Sequence, residues 1–132
     1  RKFAHVVASP TPTQMAIAEL LGEGGYDRHL RRLRRALALQ SERYRDAIAE
    51  AFPPGTRISR PQGGFVLWVE LAPSSDGVDI QQRAIERGIA VAPGSIFSAR
   101  RRFGNCLRIS TGHPWSPRIE RAIATLGALS SP

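Results

Sequence analysis

The sequence predicts an α+β fold in which a small mixed or antiparallel sheet is covered by helices. Three observations carry this: apolar residues recur at helical spacing from about Tyr26 to Phe52, short alternating runs occur at 65–71 and 106–110, and the strands come in adjacent groups rather than alternating one by one with helices. The predicted order is helix, helix, strand, strand, helix, strand, strand, helix, which argues against a doubly wound nucleotide-binding sheet.

From Arg1 to Thr13 the chain reads as irregular, with Pro10 and Pro12 holding their predecessors extended. A short helix over about Gln14 to Leu21 follows, capped by Thr13 and ended by Gly22, Gly24 and Gly25. The next helix places Leu30, Leu33, Leu37, Tyr44, Ile48 and Phe52 on one stripe, starts at Asp27 and stops at Pro53-Pro54-Gly55. At about 1.5 Å per residue it is on the order of 40 Å long, long enough to reach across a domain boundary. Its other side carries Arg28, Arg31, Arg32, Arg34, Arg35, Arg43 and Arg45, which is either a solvated face or a surface that tracks phosphates or docks a partner.

Thr56 to Arg60 reads as a short strand and Gly63-Gly64 as a turn or close approach. In the strand that follows, Phe65, Leu67, Val69 and Leu71 alternate with Val66, Trp68 and Glu70. Asp79 is placed to cap a helix over about Ile80 to Arg87, with Gly88 at its left-handed end and Ile89-Ala90-Val91 as another short strand. A loop from Pro93 to Asn105 leads to a last strand, Cys106 to Ser110. Ser116 then caps and Pro117 opens a final helix with Ile119, Ile123, Leu126 and Leu129 as its apolar stripe.

A chain of 132 residues suffices for one domain, yet it begins at Arg1 and not at methionine, so a piece of a longer protein is expected. Of 19 basic residues, 18 are arginine and Lys2 is the one lysine, which leaves chemistry that needs an amine a single, terminal candidate. The net charge of +8 and pI near 11.3 are compatible with polyanion binding or with an ordinary solvated arginine-rich surface. The lone Cys106 excludes an internal disulfide framework and fits a reducing, cytoplasmic setting. No apolar run is long enough for a membrane helix, and no Cys/His spacing resembles a metal site.

Self-contained catalysis has few candidates. His5, His29 and His113 have no nucleophile or acid at a recognisable spacing, and the setting of Cys106 points to a buried, inert thiol. Asp76, Asp79, Glu86 and Glu120 are explained by helix capping and exposed helix faces. Arg108 is different. Flanked on a strand by Leu107 and Ile109, it must leave the opposite face from theirs, where a rigidly held guanidinium can grip a carboxylate through two parallel hydrogen bonds. The alternative is a structural pair with an internal acid.

Three segments resemble the C-terminal portion of the fold-type I, pyridoxal-phosphate-dependent aminotransferases: Pro-Gln-Gly-Gly-Phe-Val-Leu-Trp-Val-Glu-Leu at 61–71, Gly-Ile-Ala-Val-Ala-Pro-Gly-Ser-Ile-Phe-Ser at 88–98, and Asn-Cys-Leu-Arg-Ile-Ser at 105–110. The runs Arg-Phe-Gly-Asn-Cys-Leu-Arg at 102–108 and Gly-His-Pro-Trp-Ser-Pro at 112–117 are most similar to the MocR-type branch of the GntR regulators, which joins a winged helix-turn-helix to an aminotransferase-like domain. The resemblance implies the two-layer small domain of that fold over 26–132, preceded at 1–25 by the tail of a large cofactor domain. It makes Arg108 the residue that binds a substrate α-carboxylate and Ser95 and Phe97 weaker pocket candidates, with no catalytic, cofactor or metal ligand on this segment. It places the cofactor lysine upstream, so pyridoxal 5'-phosphate is expected in the parent protein and not on this segment alone. The implied partners are an amino-acid or amine effector, DNA through a winged helix absent here, and a second copy in a homodimer. The small domain of a stand-alone aminotransferase is the alternative, and a free-standing basic nucleic-acid binder is a third reading. Where the branch commonly has Leu-Asn after its arginine, this chain has Ile109-Ser110.

Overall fold

Alternation of apolar and polar residues becomes strand pairing at the centre of the sheet in the computed structural model, which describes residues 10–22, 24–100 and 102–131. In chain order the elements are helices α1 (Thr11–Gly22) and α2 (Gly25–Ala51), strands β1 (Arg57–Ile58) and β2 (Val66–Glu70), and helix α3 (Gly77–Ile85). Strand β3 (Ala92–Pro93) then runs into a 3-10 turn (Gly94–Phe97), followed by strand β4 (Cys106–Ser110) and helix α4 (Pro117–Leu129). The strands lie in the order β1-β2-β4-β3, antiparallel at every pairing. The fold is therefore α+β as the strand grouping requires, with an antiparallel rather than a mixed sheet.

Register sorts the side chains onto two faces. Leu67 lies opposite Ile109 and Val69 opposite Leu107, while Pro93 faces Leu107 and Ile58 faces Val69. On this inner face Leu67, Val69 and Leu107 are fully buried. Tyr44, Ile48 and Phe52 near the end of α2, Ile80 and Ala84 of α3, and Ile123, Leu126 and Leu129 of α4 complete the core. Each large apolar side chain buried there contributes about 1.5–3 kcal/mol. Polar ties fix the layers: Ser41 meets Thr111 at 3.0 Å, the Gln40 amide donates to the Thr111 carbonyl, and Arg83 of α3 donates to the Leu129 carbonyl at 2.5 Å. Gly127 lets α4 approach the end of α2, since a Cβ there would lie 2.1 Å from the Ala51 carbonyl oxygen.

The chain divides into two compact units inside α2, Arg1–Arg35 and Ala36–Pro132. In the first, α1 has no buried residue, and Met15, Ile17, Leu20 and Leu21 are all more than half exposed. The apolar stripe of α2 is buried only toward its C-terminus, at Tyr44 and Ile48, whereas Leu33 stays exposed.

Several boundaries differ from expectation. Helix α1 starts at Thr11 and not at Gln14, because a proline in the first turn forfeits no intrahelical hydrogen bond. The rest of the stretch expected to be irregular, residues 1–9 including His5, lies outside the described residues. Asp76, not Asp79, caps α3: its carboxylate accepts from the Val78 N–H at 2.8 Å, and Gly77 fits where a Cβ would meet the Cys106 and Gly104 carbonyls. The helix accordingly begins and ends earlier. Ile89-Ala90-Val91 forms no strand; the Ile89 N–H closes the helix end on the Ala84 carbonyl, and pairing starts only at Ala92. Strand β1 shrinks to Arg57–Ile58, and β2 omits Phe65 and Leu71. Strand β4 and the Ser116-capped α4 stand as expected.

Candidate functional site

The outer face of the sheet is where polar chemistry collects. Register puts Arg57 and Glu70 opposite each other, as it does Glu70 and Cys106, Trp68 and Arg108, Val66 and Ser110, and Ala92 and Arg108. Arg108 thus stands mid-sheet, with the Trp68 indole on one side and the small Ala92 on the other. Its neighbours Leu107 and Ile109 point inward, so β pleating alone aims the guanidinium outward.

Aromatic rings surround it. The 3-10 turn after β3 brings Phe97 over the sheet, and the Arg108 guanidinium lies 5.3 Å from that ring's centroid, within cation–π range. Trp68 meets Phe97 edge-on at 6.0 Å and Phe103 at 5.5 Å, which ties the 3-10 turn and the loop before β4 to one indole. The turn can settle so close because Gly94 has no side chain: a Cβ would come 2.5 Å from the Phe103 carbonyl oxygen. Phe103 itself adopts a positive φ of 66°, a conformation uncommon for a bulky residue.

Among the described residues Arg108 takes part in no ion pair. The ion pairs among the described residues are Arg57–Glu70 at 3.6 Å and Arg83–Asp79 at 3.0 Å. Glu70, which shares the outer face, is thus held by Arg57 at the far side of the sheet. A half-buried guanidinium with its donors unmatched among the described residues is suited to take a carboxylate from outside.

Phe97 and Arg108 are therefore brought together, but Ser95 is not with them. It sits partly buried in the same turn and lines a separate hollow with Asp76 and Asn105. Trp68 and Phe103 belong to the Arg108 surroundings although the motifs did not single them out. Alternation already assigned Trp68 to the face opposite Leu67 and Val69; Phe103, in a loop, carries no such signal. Cys106 shares the outer-face register but is buried, and burial pushes its thiol up, with a smaller opposing effect from a hydrogen bond to Trp68. It is thus protonated at neutral pH and not a nucleophile. His29 and His113 are exposed; the His113 carbonyl accepts from the Tyr44 hydroxyl at 2.9 Å. Among the described residues no group of His, Cys, Asp or Glu could hold a metal ion, and no helix is long and apolar enough to cross a membrane.

A family model described as aminotransferase class I and II matches residues 1–126. The chain belongs to that family. The aminotransferase segment is 42% identical over 126 residues to an uncharacterized HTH-type transcriptional regulator, YjiR, of Escherichia coli K12, covering 96% of this chain and 27% of that protein. A second E. coli regulator of the same description, YdcR, is 33% identical over 128 residues, 97% of this chain and 27% of its own length. Among solved structures, LysN, an α-aminoadipate aminotransferase of Thermus thermophilus complexed with N-(5'-phosphopyridoxyl)-L-leucine, superposes with a TM-score of 0.77 at 30% identity, over 97% of this chain and 33% of that one. The chain spans about a quarter of the curated relatives it matches.

The aminotransferase family is pyridoxal-phosphate-dependent. The described residues include no lysine, and Lys2, the one lysine of the sequence, lies outside them. What they offer is a carboxylate-sized cation on a rigid strand, walled by aromatic rings.

Proposed function

We propose that this chain is the C-terminal effector-binding subdomain of a GntR/MocR-type transcriptional regulator, and that Arg108 anchors the carboxylate of an amino-acid effector. The observation that carries the reading is the outward Arg108 beneath Phe97, in no ion pair among the described residues, together with similarity to two HTH-type regulators over nearly the whole chain. In this reading residues 1–25 are the tail of a large domain that binds pyridoxal phosphate, and 26–132 form the small domain that closes over the effector. The exposed apolar side chains of α1 are then surface for that large domain. Phe97 orients the guanidinium, and Ser95, in the same turn but lining a separate hollow, remains the weaker pocket candidate. DNA binding belongs to a winged helix upstream, and the working unit is a cytoplasmic homodimer. The effector shifts the population of arrangements in which the two DNA-binding domains are held.

The likeness to LysN favours a second reading, the small domain of a stand-alone aminotransferase, in which Arg108 orients a substrate and the cofactor supplies the bond chemistry. The gene upstream of Arg1 separates the two. A helix-turn-helix ahead of the cofactor lysine, and DNA binding by the intact product that changes with added amino acid and loses that response in Arg108→Gln, support the regulator. Absence of that domain, with turnover of an amino donor and a 2-oxo acid, supports the enzyme and overturns the first reading.

A further inference from the structure

The inner side of the molecule holds a groove of about 930 Å³, on the other side of the sheet from Arg108. That volume lies within the ~300–1,000 Å³ typical of small-molecule sites. The core supplies its floor: Ile109 of β4 and Ile123 of α4 are buried, and Ile89 and Ile119 are partly so. Its rim is basic. Arg87, just past α3, and Arg118 and Arg121 of α4 all line it, with His113 beside them, and no aspartate or glutamate is among the lining residues.

Local structure does not account for these charges. Arg118 and Arg121 stand three residues apart and so share a face of α4, within its first two turns. That end of a helix carries the positive pole of the backbone dipoles, where cations are disfavoured and anions favoured. Neither arginine takes part in an ion pair among the described residues, although Glu120 lies between them in sequence. Arg87 uses one guanidinium nitrogen on the Arg83 carbonyl at 2.8 Å and keeps its remaining donors. Three arginines thus line an apolar trough beside the N-terminus of α4, with no aspartate or glutamate among its lining residues.

We infer that this groove is a second ligand site, taking a small organic anion with an apolar body, its carboxylate held by Arg118 and Arg121 and its body on Ile109, Ile119 and Ile123. An aromatic or aliphatic carboxylate matches both halves; a neutral hydrocarbon meets only the floor, and inorganic phosphate only the rim. The site is independent of the Arg108 reading, because it lies on the opposite face and shares no residue with it.

The probe is 2-naphthoate, titrated calorimetrically into the intact gene product, with 2-naphthalenemethanol as its uncharged counterpart. Saturable binding is expected, with the acid favoured over the alcohol by about tenfold, as a charge-assisted contact implies. Arg118→Glu/Arg121→Glu, both at exposed positions, should remove that preference, and the milder Arg87→Ala should weaken it. The charge reversal Arg31→Glu/Arg35→Glu on α2, at residues that do not line the groove, should leave the affinity unchanged. Equal binding of acid and alcohol, no saturation at millimolar probe, or a loss caused by the α2 reversal as large as that caused by the α4 reversal would overturn the site. A loss confined to Arg108→Gln would assign naphthoate to the outer face and overturn it equally, while leaving the proposed role of Arg108 standing.

Discussion

Gly94 opens the turn that carries Phe97, and replacing it with alanine tests whether that turn builds the Arg108 site. The new Cβ would lie 2.5 Å from the Phe103 carbonyl oxygen, 2.7 Å from the Cys106 Cβ and 3.0 Å from the Phe103 Cβ. None of these atoms can rotate away. Contacts of a Cβ below about 3.0 Å essentially do not occur, so the turn must retreat from β4 by at least about 0.5 Å, the difference between 3.0 and 2.5 Å. Overpacking of a tight site costs about 1–3 kcal/mol. Loosening Phe97 from Arg108 forfeits a further ~0.5–1 kcal/mol of cation–π attraction. A net loss of about 2 kcal/mol, at a urea dependence of about 2 kcal/mol per molar, lowers the unfolding midpoint by about 1 M. Urea unfolding of the chain followed by circular dichroism gives that number. Emission from Trp68, in a Trp115→Phe background, reports whether the indole has lost its contacts with Phe97 and Phe103. Gly104→Ala is the matched control, since a Cβ there meets nothing within 4 Å, and it should shift the midpoint little. If Gly94→Ala is as stable as the parent with unchanged emission, the turn does not hold the site as described.

Gly127→Ala should destabilise by more than Gly94→Ala, because the added carbon meets the Ala51 carbonyl oxygen at 2.1 Å and α4 as a whole must shift; a variant at least as stable as the parent in urea would refute that packing. Asp76→Ala removes the carboxylate that caps α3 and should cost about 1 kcal/mol in the same assay, whereas Asp79→Ala, which loses only a half-exposed pair with Arg83, should cost less. Burial raises the Cys106 thiol, so folding is favoured fully below the unfolded thiol's pKa of about 8.5 and progressively less as pH rises from there toward the folded value. Stability measured against pH should therefore fall on the alkaline side, and Cys106→Ser should flatten part of the fall; in the native chain, thiol labelling at neutral pH should proceed only as fast as unfolding exposes the sulfur.

How far the sequence foretold this architecture depended on whether local chemistry or distant packing set each feature. Strand β4 and helix α4 were legible because alternation at 106–110 and the Ser116-Pro117 start are self-contained signals. Helix α3 was misplaced because two aspartates, Asp76 and Asp79, could each cap it, and the deciding fact is a close approach of Gly77 to the Cys106 and Gly104 carbonyls, residues far away in sequence. The apolar run Ile89-Ala90-Val91 read as a strand, yet Val91 is buried as core while pairing waits for Ala92. At the site, period-two alternation sufficed to aim Arg108 away from the core. The proximity of Phe97 and Phe103 was not readable, because a turn and a loop place them and no periodicity governs either.

The proposed role of Arg108 as carboxylate anchor is tested most directly by the affinity of the intact gene product for α-amino acids against their α-amides, in the parent and in Arg108→Gln. The parent should prefer the acid by about tenfold or more, the range of a charge-assisted pair, and the variant should bind acid and amide alike. A preference for the acid that survives in Arg108→Gln would contradict that role.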